Sequence, residues 1–452
     1  MKKKYILLLL SSTLCTAQST QQKLDKAVKE LLNSSAAYSA QLSVYVVDTQ
    51  GKTIYQYQPN IGLSTASTQK IFTAACALET LGKDYYYTTT SAYNGTISNN
   101  ILQGNLWFSS NGDPTLGSWR YENYKPDDFK NKLLIALKNK NISKIVGDII
   151  IDDSYFDFQN TPGGWPWNDL GNYYGAGVWG FNWRENQFDL NMYGKEIRGT
   201  NVDLPEVKWV NDLKTFGNTD QSLIYTAPHS KVAYITGSLP DKSMVVSGAI
   251  PNPPLTFGTE IKKYLQENNI EFSGKIYSTS QMRIDAITKQ IFPKENIFFT
   301  YNSPTLDKIV YWFLRKSVNL YGETIIKTLA KTQKKESNYE AGISFLKNFW
   351  INKGLNEKSI NFADGSGLSP QNYVSAKAEV QALLYAQKQP WFPIFYDGFP
   401  THENGMKMKS GSLKNTKSYA GIYKNYTFSI IINNYQAQNG GEVLQKILNE
   451  LK

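Results

Sequence analysis

The sequence is poor in the residues on which much hydrolytic and metal-dependent chemistry relies. Among 452 residues there are two histidines, His229 and His402, and two cysteines, Cys15 and Cys76. Two imidazoles exclude a three-histidine zinc site, and two thiols exclude a disulfide framework. His402-Glu403 is followed by Met at position 406, so the H-E-x-x-H metalloprotease helix is absent. Gly51-Lys52-Thr53 ends like a phosphate-binding loop, but Val46 stands where its first glycine belongs. No serine has glycine two positions before and two after it, which excludes the nucleophile elbow. With 41% apolar and 19% charged residues, the chain is neither disordered nor fibrous. Its length suits two or three domains, each with its own core.

Long apolar runs are also missing. Lys2, Lys3 and Lys4 precede the short apolar stretch Tyr5–Leu14, and Cys15-Thr16-Ala17 then offers small residues where a signal peptidase reads. This pattern predicts a secretory signal over residues 1–17, cut after Ala17, and hence an exported, periplasmic protein. The stretch is too short for a membrane anchor, and nothing later could span a bilayer. Leu14 is bulky where lipidation at Cys15 wants a small residue. Cleavage leaves Cys76 as the one thiol, expected to be a buried apolar residue. The formal charge of +10 falls with the three lysines, and a mild positive charge outside the cytoplasm reads as a solvated basic surface, not a nucleic-acid site.

The pattern of elements has two ends and a middle. Leu24, Ala27, Val28, Leu31 and Leu32 share one face of a helix over 20–34. Residues 41–57 read as two strands around a turn at Asp48–Gly51. A buried helix is predicted from Ser67 to Leu81, stopped by Gly82. The middle, about 86–289, is rich in Asn, Gly and Tyr and in short alternating runs, with few helical stretches before 257–269. Helices return after about 300: one capped by Ser303 and running to Lys316, then 320–332 and 339–352. Strands near 405–412, 418–424 and 426–434 precede a helix from Gly441. Helices at both termini around a late antiparallel sheet predict one α/β domain split by an insertion.

What remains for chemistry is a serine whose base is lysine. S-x-x-K occurs at Ser67–Lys70 and at Ser344–Lys347, but Ser344 lies on the surface of an amphipathic helix. Ser67 opens a buried helix, where Lys70 falls on the same face one turn on. Of the S-x-N matches, Ser317-Val318-Asn319 sits between two predicted helices, and K-[ST]-G occurs at Lys409-Ser410-Gly411. The ordered set matches the pattern of penicillin-binding proteins and serine β-lactamases. Ser67 Oγ is then the nucleophile and Lys70 its base once neutral, with burial and the nearby Lys409 lowering its pKa. Two lysines in one site are expected to divide into a base and a cation. Ser317 can relay a proton to the leaving amine, Asn319 can bond the substrate amide, and Lys409 can hold a substrate carboxylate. Gly411 lets the substrate lie along the strand edge, and the N–H groups of Ser67 and Ser412 form the oxyanion hole. No cofactor or metal is called for.

These motifs, with Ser64-Thr-Ala-Ser-Thr-Gln-Lys70, Gly112-Asp-Pro-Thr-Leu116, Gly147-Asp-Ile-Ile-Ile-Asp-Asp-Ser154 with Phe156, Trp165-Pro-Trp167-Asn-Asp169 and Asp364-Gly-Ser-Gly-Leu-Ser369, resemble the D-alanyl-D-alanine carboxypeptidase/endopeptidase family, the class C low-molecular-mass penicillin-binding proteins. The resemblance covers nearly all of the chain after the signal segment. It implies an α/β transpeptidase-like domain over 18–85 and 290–452, split by two smaller, mostly β domains, at 86–185 with 245–289 and at 186–244. It implies cleavage of peptidoglycan stem peptides and cross-bridges, with β-lactams as covalent inhibitors. Ser410 stands where Thr is commoner, and Val318 where Asp is common. Pro370 stands where members often carry an Arg that helps bind the diaminopimelate end of the substrate, together with an Asp matched to Asp152. Two other readings are a serine β-lactamase and a non-catalytic wall-binding protein. Glu357-Lys-Ser-Ile-Asn361 resembles a β-lactamase deacylation loop, but it follows the second motif instead of preceding it.

Overall fold

The computed structural model of the chain describes residues 18–333, 336–436 and 440–452. The expected signal segment lies outside the described residues. Among the described residues, no helix is long and apolar enough to cross a membrane.

A five-stranded antiparallel sheet organises the first domain. Its order is Thr53–Tyr57, Gln41–Val47, Tyr426–Asn433, Thr416–Tyr423 and Lys407–Leu413, so the two ends of the sequence are adjacent strands. Both faces of this sheet are covered, which is why Gln41–Val47 is buried at six consecutive positions. Leu42, Val44 and Val46 face the terminal helices Thr20–Leu32 and Gly440–Asn449, where Leu24, Val28, Leu444 and Ile447 pack on them. Tyr45 and Val47 face the other way, against Ala376 and Val380 of helix Ala376–Ala386. Behind lies the main helical core, in which Phe72, Phe313, Ile325 and Trp350 meet. Cys76 belongs to this core, and its burial pushes the thiol pKa up to about 12, as expected of an apolar structural residue.

The middle of the chain forms separate sheets. One has five strands in the order Ile276–Ser278, Ile149–Asp152, Leu106–Ser110, Thr88–Tyr93 and Ile297–Asn302, and a four-stranded sheet runs beside it. Two three-stranded sheets are built from residues 187–249. The boundaries differ from those expected. Strand Ile297–Asn302 pairs with Thr88–Tyr93, so the inserted sheet continues past 289. Strand Ser243–Ala249 pairs along all of Gln187–Tyr193, so a division at 244 would cut one strand in two.

Other departures have local causes. Helix Pro126–Asn139 lies in the stretch expected to hold few helices. Proline at its first position, Asp127 and Asp128 in its first turn, and Phe129, Leu133 and Leu137 on one buried face were its signals. Ser303 does not cap the next helix. It precedes Pro304, which disfavours helical backbone, and its hydroxyl accepts the Tyr87 N–H at 2.9 Å instead; the helix begins at Leu306 after Thr305. Helix Ala376–Ala386, capped by Ser375, is also absent from the sequence reading.

One buried ion pair joins the insertion to helix Asn319–Thr332, and a second, within the insertion, reaches that helix through its glutamate. Arg120 and Glu185 meet at 2.9 Å, and Glu185 also accepts the hydroxyls of Ser118 and Tyr321. Lys327, with no exposed side-chain surface, meets Asp157 at 2.7 Å. Removing one member of such a pair leaves the other buried and unpaired. Glu185→Ala is therefore expected to lower unfolding free energy by about 3–5 kcal/mol. Urea denaturation measures this, and a loss below about 1 kcal/mol, the range of exposed pairs, would remove Glu185 from the list of what joins the domains.

Candidate active site

Ser67 lies in the 3-10 turn Ala66–Gln69, which leads directly into helix Lys70–Leu81. In such a turn residues i and i+3 eclipse, so Lys70 stands over Ser67 more closely than a regular α-helix would place it. Nζ of Lys70 is 2.9 Å from Ser67 Oγ. The turn is held from beneath. Thr68 donates to the buried Glu379 at 2.6 Å, Ser429 donates to the other oxygen of Glu379 at 2.6 Å, and Ser418 donates to the Thr65 carbonyl at 2.5 Å. Ala66, just before Ser67, takes a positive φ of 49°, a strained conformation of the kind that collects at functional sites.

Lys70 is fully buried and makes two further contacts, to Asn319 Oδ1 at 2.7 Å and to the Ser366 carbonyl at 2.6 Å. The Asn319 amide is oriented unambiguously, because its Nδ2 donates to the Tyr174 carbonyl at 2.8 Å. Both of those partners of Lys70 can therefore only accept. A neutral amine has two hydrogens and one lone pair; with the hydrogens spent on Asn319 and Ser366, the lone pair faces the Ser67 hydroxyl. Burial pulls the Lys70 pKa down to about 7, against the opposing pull of Asp364 and Glu323.

Ser317 lies in the left-handed region at φ 59°, and its hydroxyl accepts from Lys409 Nζ at 3.2 Å. Lys409 also donates to the Ser410 carbonyl at 2.8 Å, which leaves it a third donor. Its pKa is lowered well below the usual lysine value, by burial first and then by the charges of Lys70 and Lys417. Both lysines are thus depressed, where the sequence suggested a division into base and cation. At Lys70 the lowering comes from burial and not from the charge of Lys409.

Gly411 is required by proximity. A Cβ at this position would lie 2.8 Å from the Ser67 nitrogen and 2.5 Å from Ser418 Oγ, so strand Lys407–Leu413 runs directly against the turn that carries Ser67. The Ser412 side chain points away to solvent and accepts from Lys417 at 2.6 Å. The structure thus brings together Ser67, Lys70, Ser317, Asn319 and Lys409–Ser412. Asp152 is not tied to this set; its carboxylate accepts from Ser154 and Thr279. Pro370 is exposed. Glu357 is exposed and paired with Lys347 at 3.1 Å.

Several residues at the site were given no role in the sequence reading, although Asp364 and Trp165 open segments on which the family resemblance rested. Asp364 is a buried hub that accepts from the backbone N–H groups of Gly367 and Ser369, at 2.7 and 2.6 Å, and from Asn372. Trp165 of the insertion donates its indole N–H to Asp364 at 2.9 Å. Glu323, one turn beyond Asn319, accepts the Gly365 N–H, and burial pushes its pKa up to about 8. Together these groups fix the Ser366 carbonyl under Lys70. Tyr174, whose carbonyl holds Asn319, donates its hydroxyl to Asp169 at 3.3 Å. Trp165 and Asp169 bracket a segment the sequence had singled out, which was the available signal. Among the described residues, no cluster of His, Cys, Asp and Glu could hold a metal ion.

The profile of the D-Ala-D-Ala carboxypeptidase 3 (S13) family matches residues 24–451. The chain is 26% identical over 405 residues to D-alanyl-D-alanine carboxypeptidase DacB of Haemophilus influenzae, covering 83% of this chain and 80% of that protein. Its fold matches the crystal structure of penicillin binding protein 4 (dacB) from Haemophilus influenzae with a TM-score of 0.77 at 23% identity, over 95% of this chain and 98% of that one. The same protein complexed with a β-lactam matches with a TM-score of 0.71 at 21% identity, over 95% and 98%.

Two measurements follow from the geometry. Protonated Lys70 cannot take the Ser67 proton, so acylation by a β-lactam is expected to fall about tenfold per pH unit below about 7 and to level off above it. Stopped-flow acylation across pH 5–9 reads this directly, and a flat profile would mean another base. Gly411→Ala is expected to slow acylation by about 100-fold or more, because the new Cβ displaces the Ser67 N–H. Wild-type acylation rates in that variant would show that the close contact does not matter.

Proposed function

The chain belongs to the D-Ala-D-Ala carboxypeptidase 3 (S13) family and is a serine-type carboxypeptidase of that family; from this premise we propose that Ser67 is the nucleophile of an acyl-enzyme pathway that trims stem peptides of peptidoglycan and opens their cross-bridges. The observation that carries the proposal is the hydrogen-bond arrangement of Lys70, whose one unspent partner is the Ser67 hydroxyl. Neutral Lys70 takes that proton as Oγ attacks the carbonyl of the penultimate D-alanine. The N–H groups of Ser67 and Ser412 receive the developing oxyanion, each worth about 3–4 kcal/mol in comparable sites. Collapse of the tetrahedral intermediate breaks the D-Ala–X bond, and the proton reaches the leaving amine from Lys70 through Ser317. Water then attacks the ester and regenerates Ser67.

Lys409, with one donor left over, holds the carboxylate of the leaving residue, and Ser410, Gly411 and Ser412 offer the strand edge to the peptide. Asn319 orients Lys70 through Oδ1 and is held by Tyr174 through one Nδ2 hydrogen, which leaves its second N–H for the substrate amide. Terminal trimming and cross-bridge opening break the same kind of bond, which supports one site for both. Substrates outside the cytoplasm fit a periplasmic enzyme carrying the signal segment read at residues 1–17. β-Lactams, as mimics of the D-Ala-D-Ala end, form the corresponding adduct.

Intact mass after incubation with a β-lactam tests the assignment. The wild type is expected to gain one stable adduct, Ser67→Ala none, and Ser412→Ala nearly as much as wild type, since its contribution is backbone. Rapid drug turnover without an adduct would mean a β-lactamase, and severe loss in Ser412→Ala would break the oxyanion assignment. Digestion of cross-linked muropeptides completes the experiment; dimers left intact would remove the endopeptidase half.

A further inference from the structure

A cavity of about 590 Å³ lies in the insertion and shares no lining residue with the catalytic groups. It is bounded by the segment after strand Ile149–Asp152, by helix Thr279–Ile284 and the turn after it, and by His229 of the smaller inserted unit. The volume suits a small organic ligand.

Its polar groups are unevenly spent. The acids that line it are already satisfied. Asp153 accepts from Thr279, from the Ser280 N–H at 2.9 Å and from the Ser280 hydroxyl at 2.5 Å. Asp157 is neutralised by Lys327. The cations are not. Arg283 lies 5.1 Å from the Phe158 ring centre and Lys289 donates to Ser154 at 3.1 Å; both are exposed, and neither is in an ion pair among the described residues.

His229 adds a second, independent sign. Its ring stacks on Phe158 at 4.7 Å and leans on Trp179 at 4.5 Å. Both ring nitrogens are buried, and neither has a partner among the described residues. Burial pulls its pKa down to about 4, so at neutral pH the ring presents one donor and one acceptor. Its backbone is held at φ 64° by a bond from its N–H to the Pro251 carbonyl. A strained residue whose buried polar atoms find no partner within the fold is a recurrent feature of ligand sites.

An apolar, aromatic wall beside two cations outside any ion pair among the described residues calls for a ligand with a carboxylate and a flat or aliphatic body. We propose that this cavity is a second binding site that holds a carboxylate-bearing part of the cell-wall polymer away from the bond being cut. The inference rests on the peptidoglycan reading above. Two parts of that polymer carry the chemistry: the free end of a trimmed stem peptide, and the lactyl acid of a glycan stripped of its peptides.

The test uses full-length protein acylated at Ser67 by a β-lactam, so that the catalytic cleft is blocked. A D-Ala-D-Ala-free stem tripeptide and a peptide-free glycan oligosaccharide are titrated separately by calorimetry. The acylated wild type is expected to bind one of the two, which identifies the source. The Arg283→Ala/Lys289→Ala double variant, altered at two exposed positions, is expected to bind it about tenfold more weakly or worse while acylating at the wild-type rate. The proposal is overturned if acylation abolishes binding of both ligands, or if the double variant binds as the wild type does. Failure of the drug to acylate Ser67 would count against the catalytic reading instead, and comparison of the two unacylated proteins would still report on the cavity.

Discussion

A lysine with no exposed surface and, among the described residues, no carboxylate within hydrogen-bond reach is the constraint around which this molecule is built. Burying an amine is costly unless its hydrogens are placed or its charge is given up. Here both happen. The pKa falls to about 7, and the two hydrogens of the neutral form go to carbonyl oxygens from positions 319 and 366. Each of those oxygens must itself be held. Asn319 is fixed by the Tyr174 carbonyl, and the Ser366 turn by Asp364, Glu323 and Thr73. Four segments far apart in sequence are thus needed to set the direction of one lone pair.

The side chains of this arrangement were legible because three short patterns occur in one order. Ser67 and Lys70 are linked by local geometry alone, and the structure places Ser317, Asn319 and Lys409 with them. Less visible were the groups that act through main chain. The Ser366 carbonyl has no side-chain signature, Asp364 was marked only as the start of the Asp364–Ser369 segment, and Glu323 is distinguished from ordinary surface acids only by burial. Helix Pro126–Asn139 carried readable start signals that a polar, turn-rich neighbourhood obscured. The domain limits were illegible for another reason. Strand Ile297–Asn302 reads the same alone as any short strand, and only its partner Thr88–Tyr93, some two hundred positions earlier, decides which sheet it joins.

Charge state links the two lysines. Burial lowers both pKa values, and the charge of Lys70 lowers that of Lys409 further. Loss of the proton from Lys70 removes that repulsion and favours retention of the one on Lys409. The division of labour suggested by the sequence is then a property of the pair and not of either residue. A substrate carboxylate arriving at Lys409 would strengthen it, since an anion there favours a charged Lys409.

The insertion is more than an addition to the surface of this machinery. Helix Asn319–Thr332 is buried from Asn319 through Ala330, yet Asn319, Glu323 and Lys327 recur every four positions and line one face. A polar stripe on a helix buried all round must be paired along its length. Asn319 is held by Tyr174 and Lys327 by Asp157, both from the insertion, while Glu323 between them holds Gly365. Tyr321, off the stripe, reaches Glu185 of the insertion as well. An apolar helix could slide or rotate against its neighbours at small cost. This one cannot move by a residue without stranding a lysine and a glutamate in the core, so the insertion sets the register that points Asn319 at Lys70.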